Sequence, residues 1–225
     1  MTVELDKLWT FANPAASEPA LRDALSHAMG DDALILRTQI ARTHGMRRHF
    51  DEAAHDLYLK AVEQASIAAD DAVAIDAMHM LAIVETDPKA QLRWNFEALE
   101  LARESDQPTT NRWEASLRHN IGREVSAAHR HEEALAHFRA AADLRAEAGE
   151  VEENRIARWM VAKTLRALGQ IHDALDMQQE LESEHAAHGK ADPYVFEELE
   201  IIHRLLGDAA RAADSAARRR AHSPA

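Results

Sequence analysis

The sequence predicts an all-α fold in which about eleven helices pack as antiparallel pairs. Three observations carry that expectation. Aromatic residues make up only 5% of the 225-residue chain and the hydrophobic 46% leans on alanine and leucine, a composition that suits closely packed helices because strand-favouring residues are sparse. Glycines and prolines are few, 7 and 6, and most stand where helices start or stop. A pattern of small residues also returns at intervals of about 40 residues.

The segment 1–30 reads as an N-terminal cap. Ser17 ahead of Glu18-Pro19 predicts a helix over 16–29, since a side-chain acceptor followed by a proline suits the first turn, where a missing N–H costs nothing. Gly30 then supplies a left-handed stop. Trp9 with Phe11 is expected to cover the apolar face that a helical array leaves open at its end. Apolar periodicity continues over 32–46, 50–67 and 70–85. Asp87-Pro88 opens a helix over 88–105, and another follows over 110–128. The next three, 131–148, 152–168 and 171–187, close at Gly149, Gly169 and Gly189. Asp192-Pro193 opens 193–206, which closes at Gly207, and 208–221 ends with Arg218 to Arg220, cations that suit a helix C-terminus. No linker or low-complexity stretch separates these elements, so residues 1–225 are expected to form one domain, with about five helix pairs over 31–222.

Ala53, Ala134, Ala174 and Ala212 each fall a few residues after a turn, with a degenerate copy near Gln91. The best-formed copy comprises Ile121, Gly122, Ala134, Phe138 and Ala141. Antiparallel helices approach closely only where side chains are small, so Gly122 is expected to leave room for Ala134, with Phe138 and Ala141 on the same face. Ile40-Ala41, Met78-His79, Val161-Ala162 and Leu199 are weaker copies. His79 and Glu200 stand where the small residue belongs, and Gln178 or Ala216 where the aromatic does.

This register resembles the tetratricopeptide repeat over about residues 32–222, in a divergent bacterial form whose period is near 40 residues rather than about 34. The resemblance implies a right-handed solenoid whose first helices line a concave groove. It also implies a non-enzymatic scaffold or adaptor that binds a protein or peptide segment there. Carried over by register, the groove candidates on the early helices are Thr38, Arg42, Asp76, Met80, Ser116, His119, Asn120 and Arg123. On the later helices they are Arg155 and Arg158 at the margin, Trp159, Lys163, Arg166, Tyr194 and Glu197. The later set reads as a cationic and aromatic surface, implying a partner with acidic groups and an apolar anchor. Trp159 is singled out because tryptophan buries much area at little entropic cost, whereas Trp94 and Trp113 are expected to pack in the core. The lysine, asparagine and arginine set that clasps chaperone tails is matched here only by Asn120 and Arg42, so that clamp is not expected.

Without cysteine, disulfides, thiolate catalysis and cysteine-ligated zinc are excluded. Among 14 histidines, His185 and His188 share a helical face and His129, His131 and His137 surround a turn, but no zinc-protease motif is present and no metal site is expected. No nucleophile elbow, phosphate-cradling loop or dinucleotide fingerprint appears, so neither an enzyme nor a cofactor is expected. The net charge of −13 opposes nucleic acid and anionic membranes. No secretory signal or bilayer-spanning run is readable, which makes the cytoplasm the default. The competing readings are a self-assembling homodimer, a sensor acting through a partner and, last, a metal-dependent enzyme using the histidines.

Overall fold

The computed structural model describes residues 4–10, 12–46, 55, 58–63, 65, 70–107 and 109–222. Ala53, Phe11 and part of the helix expected over 50–67 lie outside these residues. Among the described residues the order is a 3-10 turn (Leu5–Lys7), α1 (Pro14–His27), α2 (Asp31–Met46), α3 (helical over 58–63), α4 (Asp71–Val84) and α5 (Pro88–Glu104). Then follow α6 (Trp113–Ala127), α7 (His131–Glu147), α8 (Val151–Ala167), α9 (Ile171–Ala187), α10 (Pro193–Leu205) and α11 (Ala209–His222). No strand occurs among the described residues, and none of their helices is long and apolar enough to cross a membrane.

The starts of α4, α5 and α10 are capped by an aspartate, whereas α7, α8 and α9 begin at Arg130, Glu150 and Gln170 without a side-chain cap, and the start expected at Ser17 lies elsewhere. Asp87 accepts a hydrogen bond from the Lys89 amide at 3.2 Å, and Asp192 accepts one from the Tyr194 amide at 2.8 Å, each satisfying an amide that the first turn leaves unpaired. Asp70 does the same for Val73 at 3.2 Å. The helix expected at Ser17 begins earlier, with Asn13 as N-cap and Pro14 in the first turn, so Pro19 falls inside α1. The buried Ser17 hydroxyl instead accepts the Thr10 amide at 2.7 Å and ties down the preceding turn.

Helix ends are of two kinds. α1, α4 and α5 end on extended residues, Ala28, Glu85 and Ser105, and the carbonyl of Gly30, expected as the stop of α1, instead accepts the Ala33 and Leu34 amides at the start of α2. Gly149, Gly169, Gly189 and Gly207 close α7 to α10 with φ between 66° and 78°. At Gly149 the left-handed residue lets the Glu150 amide reach back to the Arg145 carbonyl at 2.9 Å, which satisfies an orphan acceptor of the last turn. The turn between α6 and α7 has the same closure, with Arg130 donating to the Val125 carbonyl at 2.9 Å. There the left-handed position, φ 61°, is held by His129.

The chain divides into two compact units, Met1–Asn120 and Ile121–Ala225. In the first, Leu21, Leu36 and Ile40 form a core against which Leu8, Trp9 and Leu25 pack, and the Trp9 indole donates to Gln39 Oε1 at 3.0 Å. A second cluster gathers Ala41, Tyr58, Ala61, Ala77, Met80 and Leu81, with Trp94 packed on it as expected. Its alanines let the backbones of α2, α3 and α4 approach.

In the second unit the repeat alanines Ala134, Ala174 and Ala212 are all buried, as the register requires. The neighbour that needs the absent side chain of Gly122 is not Ala134 but Phe138. A Cβ at Gly122 would stand 2.7 Å from Phe138 Cε1 and within 3.0 Å of two further ring atoms. The ring, longer than an alanine methyl, reaches across the helix pair and fills the notch. Toward the C-terminus Leu181, Val195, Phe196 and Leu199 form a cluster with Leu175 and Trp159 against it. Departures from the repeat pattern are absorbed differently. Glu200 is buried and pairs with Arg204 and, at 3.3 Å, with Arg219, whereas Gln178 is fully buried with neither amide atom hydrogen-bonded among the described residues.

Candidate functional site

Glu152, Arg155, Ile156, Trp159, Lys163 and Arg166 recur at three- and four-residue spacing along α8, which places them along one side of the helix. The Asp192 cap starts α10 so that Tyr194 stands beside Trp159. Trp159 Nε1 donates to the Tyr194 carbonyl at 3.2 Å, and the two rings meet edge to face with centroids 6.1 Å apart. Between α8, α9 and α10 lies a cavity of about 420 Å³. Its apolar walls are Ile156, Trp159, Leu181, Tyr194 and Val195, and its rim carries Glu152, Arg155, His185 and Asp192. Tyr194 and Ile156 are 64% and 54% exposed, so bulky apolar surface faces solvent at its mouth. A volume of this size with largely apolar walls is typical of ligand and anchor pockets.

The arginines of this face are not free. Arg155, only 5% exposed, pairs with Glu152 at 3.2 Å and Glu184 at 3.3 Å. Arg158 pairs with Glu180 at 2.9 Å and Glu184 at 2.5 Å. Arg166 forks onto Glu198 through two bonds of 2.7 and 3.1 Å. Burial pushes the Glu184 carboxyl up, but bonds and charge from Arg158 and Arg155 outweigh it and hold the group below the usual carboxylate range. The expected cationic surface is therefore neutralised at its arginines. Lys163 is exposed, with its ammonium 4.8 Å from the centroid of the Trp159 ring, and no carboxylate partner among the described residues. Arg123 is likewise exposed and without an ion-pair partner among them. Glu197 lies 3.5 Å from Arg219 and does not line the cavity.

The candidates of the first unit do different work. Arg42 binds Asp76 at 2.5 Å, and burial raises the Asp76 carboxyl despite the opposing influence of Arg42 and Arg112. Asn120 Nδ2 lies 3.1 Å from Nδ1 of His79, a residue that stood out in the sequence only as a departure from the small-residue position. Burial, helped by the Arg42 charge, pushes His79 down to about 4, so at neutral pH its ring is uncharged and Nδ1 can accept from the amide. Trp113 packs against the same imidazole, with centroids 5.5 Å apart. Met80 is 7% exposed and belongs to the core rather than to an open face, because its neighbours Ala41, Ala61 and Ala77 leave a gap that a long flexible side chain fills. Thr38 is buried too, its hydroxyl donating to the Ile35 carbonyl. Ser116 and His119 are half-buried.

Of the closely spaced histidines, His185 Nε2 lies 3.6 Å from Asp192 Oδ2, His188 Nδ1 lies 2.8 Å from the Glu184 carbonyl, and His129 meets His131 edge to face. Among the described residues no three acidic or histidine side chains converge on a common point.

No family model matches the sequence, and no curated protein does. Solved structures do share its fold. BtubC (BKLC) from P. vanneervenii superposes with a TM-score of 0.75 at 14% identity, covering 97% of this chain and 91% of that one. A putative kinesin light chain from Podosopora anserina, with nearly identical TPR-like repeats, gives 0.63 at 18% identity over 84% and 94%. YrrB, described as a TPR protein with an unusual peptide-binding site, gives 0.61 at 16% identity over 90% and 91%. The chain thus has the fold of tetratricopeptide-type repeat proteins, as its register implied.

Proposed function

We propose that this chain is a non-catalytic interaction module whose second unit receives a bulky apolar side chain of a protein or peptide segment. The cavity between α8, α9 and α10 carries the reading, since it combines apolar walls with a tryptophan and an exposed tyrosine at its mouth. Tryptophan and tyrosine are the side chains most often found to dominate binding energy. The peptide-binding site named for YrrB, a protein of the same fold, supports the class of partner. The paired arginines do not contribute to this reading, and the apolar anchor does.

Selection of a random peptide library on the parent protein, counter-selected on Ile156→Asp, tests it. Ile156 is more than half exposed, so its replacement leaves the core intact. Enriched peptides are expected to share a large apolar residue. Trp159→Ala should weaken them by about 30-fold, the equivalent of roughly 2 kcal/mol. Equal binding to both variants with unchanged circular dichroism, or no enrichment, would overturn the proposal. A second copy of the chain is the competing occupant. Light scattering across a concentration range separates the two, because a strict monomer that binds the selected peptides leaves no place for the homodimer.

A further inference from the structure

We infer that the segment received by this cavity carries a carboxylate at a fixed offset of about two residues from its apolar anchor, on the Lys163 side. The inference rests on the reading of the cavity as an anchor pocket and concerns what surrounds it. Along α8 every neighbouring arginine is already neutralised: Arg155 by Glu152 and Glu184, Arg158 by Glu180 and Glu184, and Arg166 by Glu198, onto which it forks through two bonds. Lys163 differs. Its ammonium rests against the Trp159 ring, 4.8 Å from the centroid, which holds the charge in place without cancelling it. An anchor seated against Trp159 is thereby followed by one uncompensated cation, one helical turn along α8.

The opposite side of the cavity offers no such uncompensated cation. Glu152 and Asp192 stand on that rim, and the cations beside Glu152 are already matched by it, Arg155 at 3.2 Å and Lys190 at 2.9 Å. Charge complementarity thus gives the segment a direction. Trp159 and Lys163 are four residues apart, a rise of about 6 Å along a helix at 1.5 Å per residue. An extended chain covers that length in about two residues at roughly 3.3 Å each. Beyond Lys163 the Arg166 fork is filled, so a single acid is specified rather than an acidic run.

Peptides from the library selection, synthesised in acidic and amide forms, decide the matter by calorimetry against the parent, Lys163→Gln and Lys163→Glu. Lys163 is exposed, and both variants are expected to melt with the parent. The acidic peptide should bind Lys163→Gln about three- to fivefold more weakly than the parent, the range for a partly exposed ion pair. The amide form should bind both proteins alike, and added salt should erode only the acidic peptide's advantage. Anchored peptides enriched with no acid at a constant offset would overturn this inference and leave the anchor pocket standing. An acid preference that persists on Lys163→Glu would overturn it as well. Failure to enrich any anchored peptide would remove the pocket and the inference together.

Discussion

Two single residues hold conformations or charge states that cost stability. His129 occupies a left-handed turn position, φ 61°, which glycine fills at Gly149, Gly169, Gly189 and Gly207 with the same backbone closure. A Cβ there crowds the backbone, whereas glycine adopts the angle freely but loses more entropy on folding. His129→Gly is therefore expected to stabilise the protein by about 0.5 to 1 kcal/mol in urea unfolding, and an unchanged or lower midpoint would contradict the strain. His79 is the second. Its ring stays neutral in the folded state down to about pH 4, against an ordinary value of 6.5. As pH falls through that window the unfolded chain takes up a proton that the folded chain refuses, so stability is full above the window and declines through it. The decline amounts to about 3 kcal/mol at 1.36 kcal/mol per pH unit. His79→Gln keeps an amide for Asn120 and removes the titration. The difference in unfolding free energy between about pH 7 and pH 4.5 should shrink accordingly, and an identical pH profile would show that His79 is not held neutral.

At the scale of the element, the α6–α7 pair shows what a side-chain notch is for. Gly→Ala in a helix interior ordinarily gains about 1 kcal/mol in propensity. At Gly122 the new methyl would press on three atoms of a fully buried ring, and overpacking costs roughly 1 to 3 kcal/mol. Gly122→Ala is expected to lower the melting temperature, and adding Phe138→Leu to it should recover part of the loss although Phe138→Leu alone is destabilising. Additive losses would mean that the two positions do not share the space. The small residue at Gly122 and its helical pairing were legible in the sequence because they belong to a local periodicity. The identity of the neighbour was not, since an aromatic ring reaches past the nearer alanine. Helix starts at Pro88 and Pro193 were legible from their caps. The start at Pro14 was not, because Ser17-Glu18-Pro19 has the same chemistry as a cap without being one. For the candidate site, register put Trp159, Lys163 and Tyr194 on one expected face and passed over Ile156. It could not show that Arg155, Arg158 and Arg166 are spoken for, because their carboxylates come from α9 and α10, more than twenty residues away. Met80 was misplaced for a related reason: register gives a direction on a helix, but whether that direction is open depends on Tyr58 and Ala61 of another element.

For the whole molecule, the sequence offers no linker, and the boundary between the two compact units, after Asn120, falls within the helix Trp113–Ala127. We propose that the chain unfolds as one domain, because separating the units thermally would break a helix that runs without interruption through Asn120 and Gly122 and leave its backbone groups unpaired. Tryptophan positions make the test direct. In a Trp159→Phe variant the remaining tryptophans, Trp9, Trp94 and Trp113, all report on the first unit, while circular dichroism reports on every helix. The two signals should give coincident transitions, the mark of all-or-none behaviour. Ile121→Ala, a truncation at a fully buried position of the second unit, should cost about 2 to 5 kcal/mol and shift both signals together by about 2–4 °C per kcal/mol. If Ile121→Ala moves the dichroism transition and leaves the tryptophan signal where it was, the units unfold separately. Binding at the cavity of the second unit would then stabilise that unit alone, since a ligand raises only the stability of the cooperative body that holds its site.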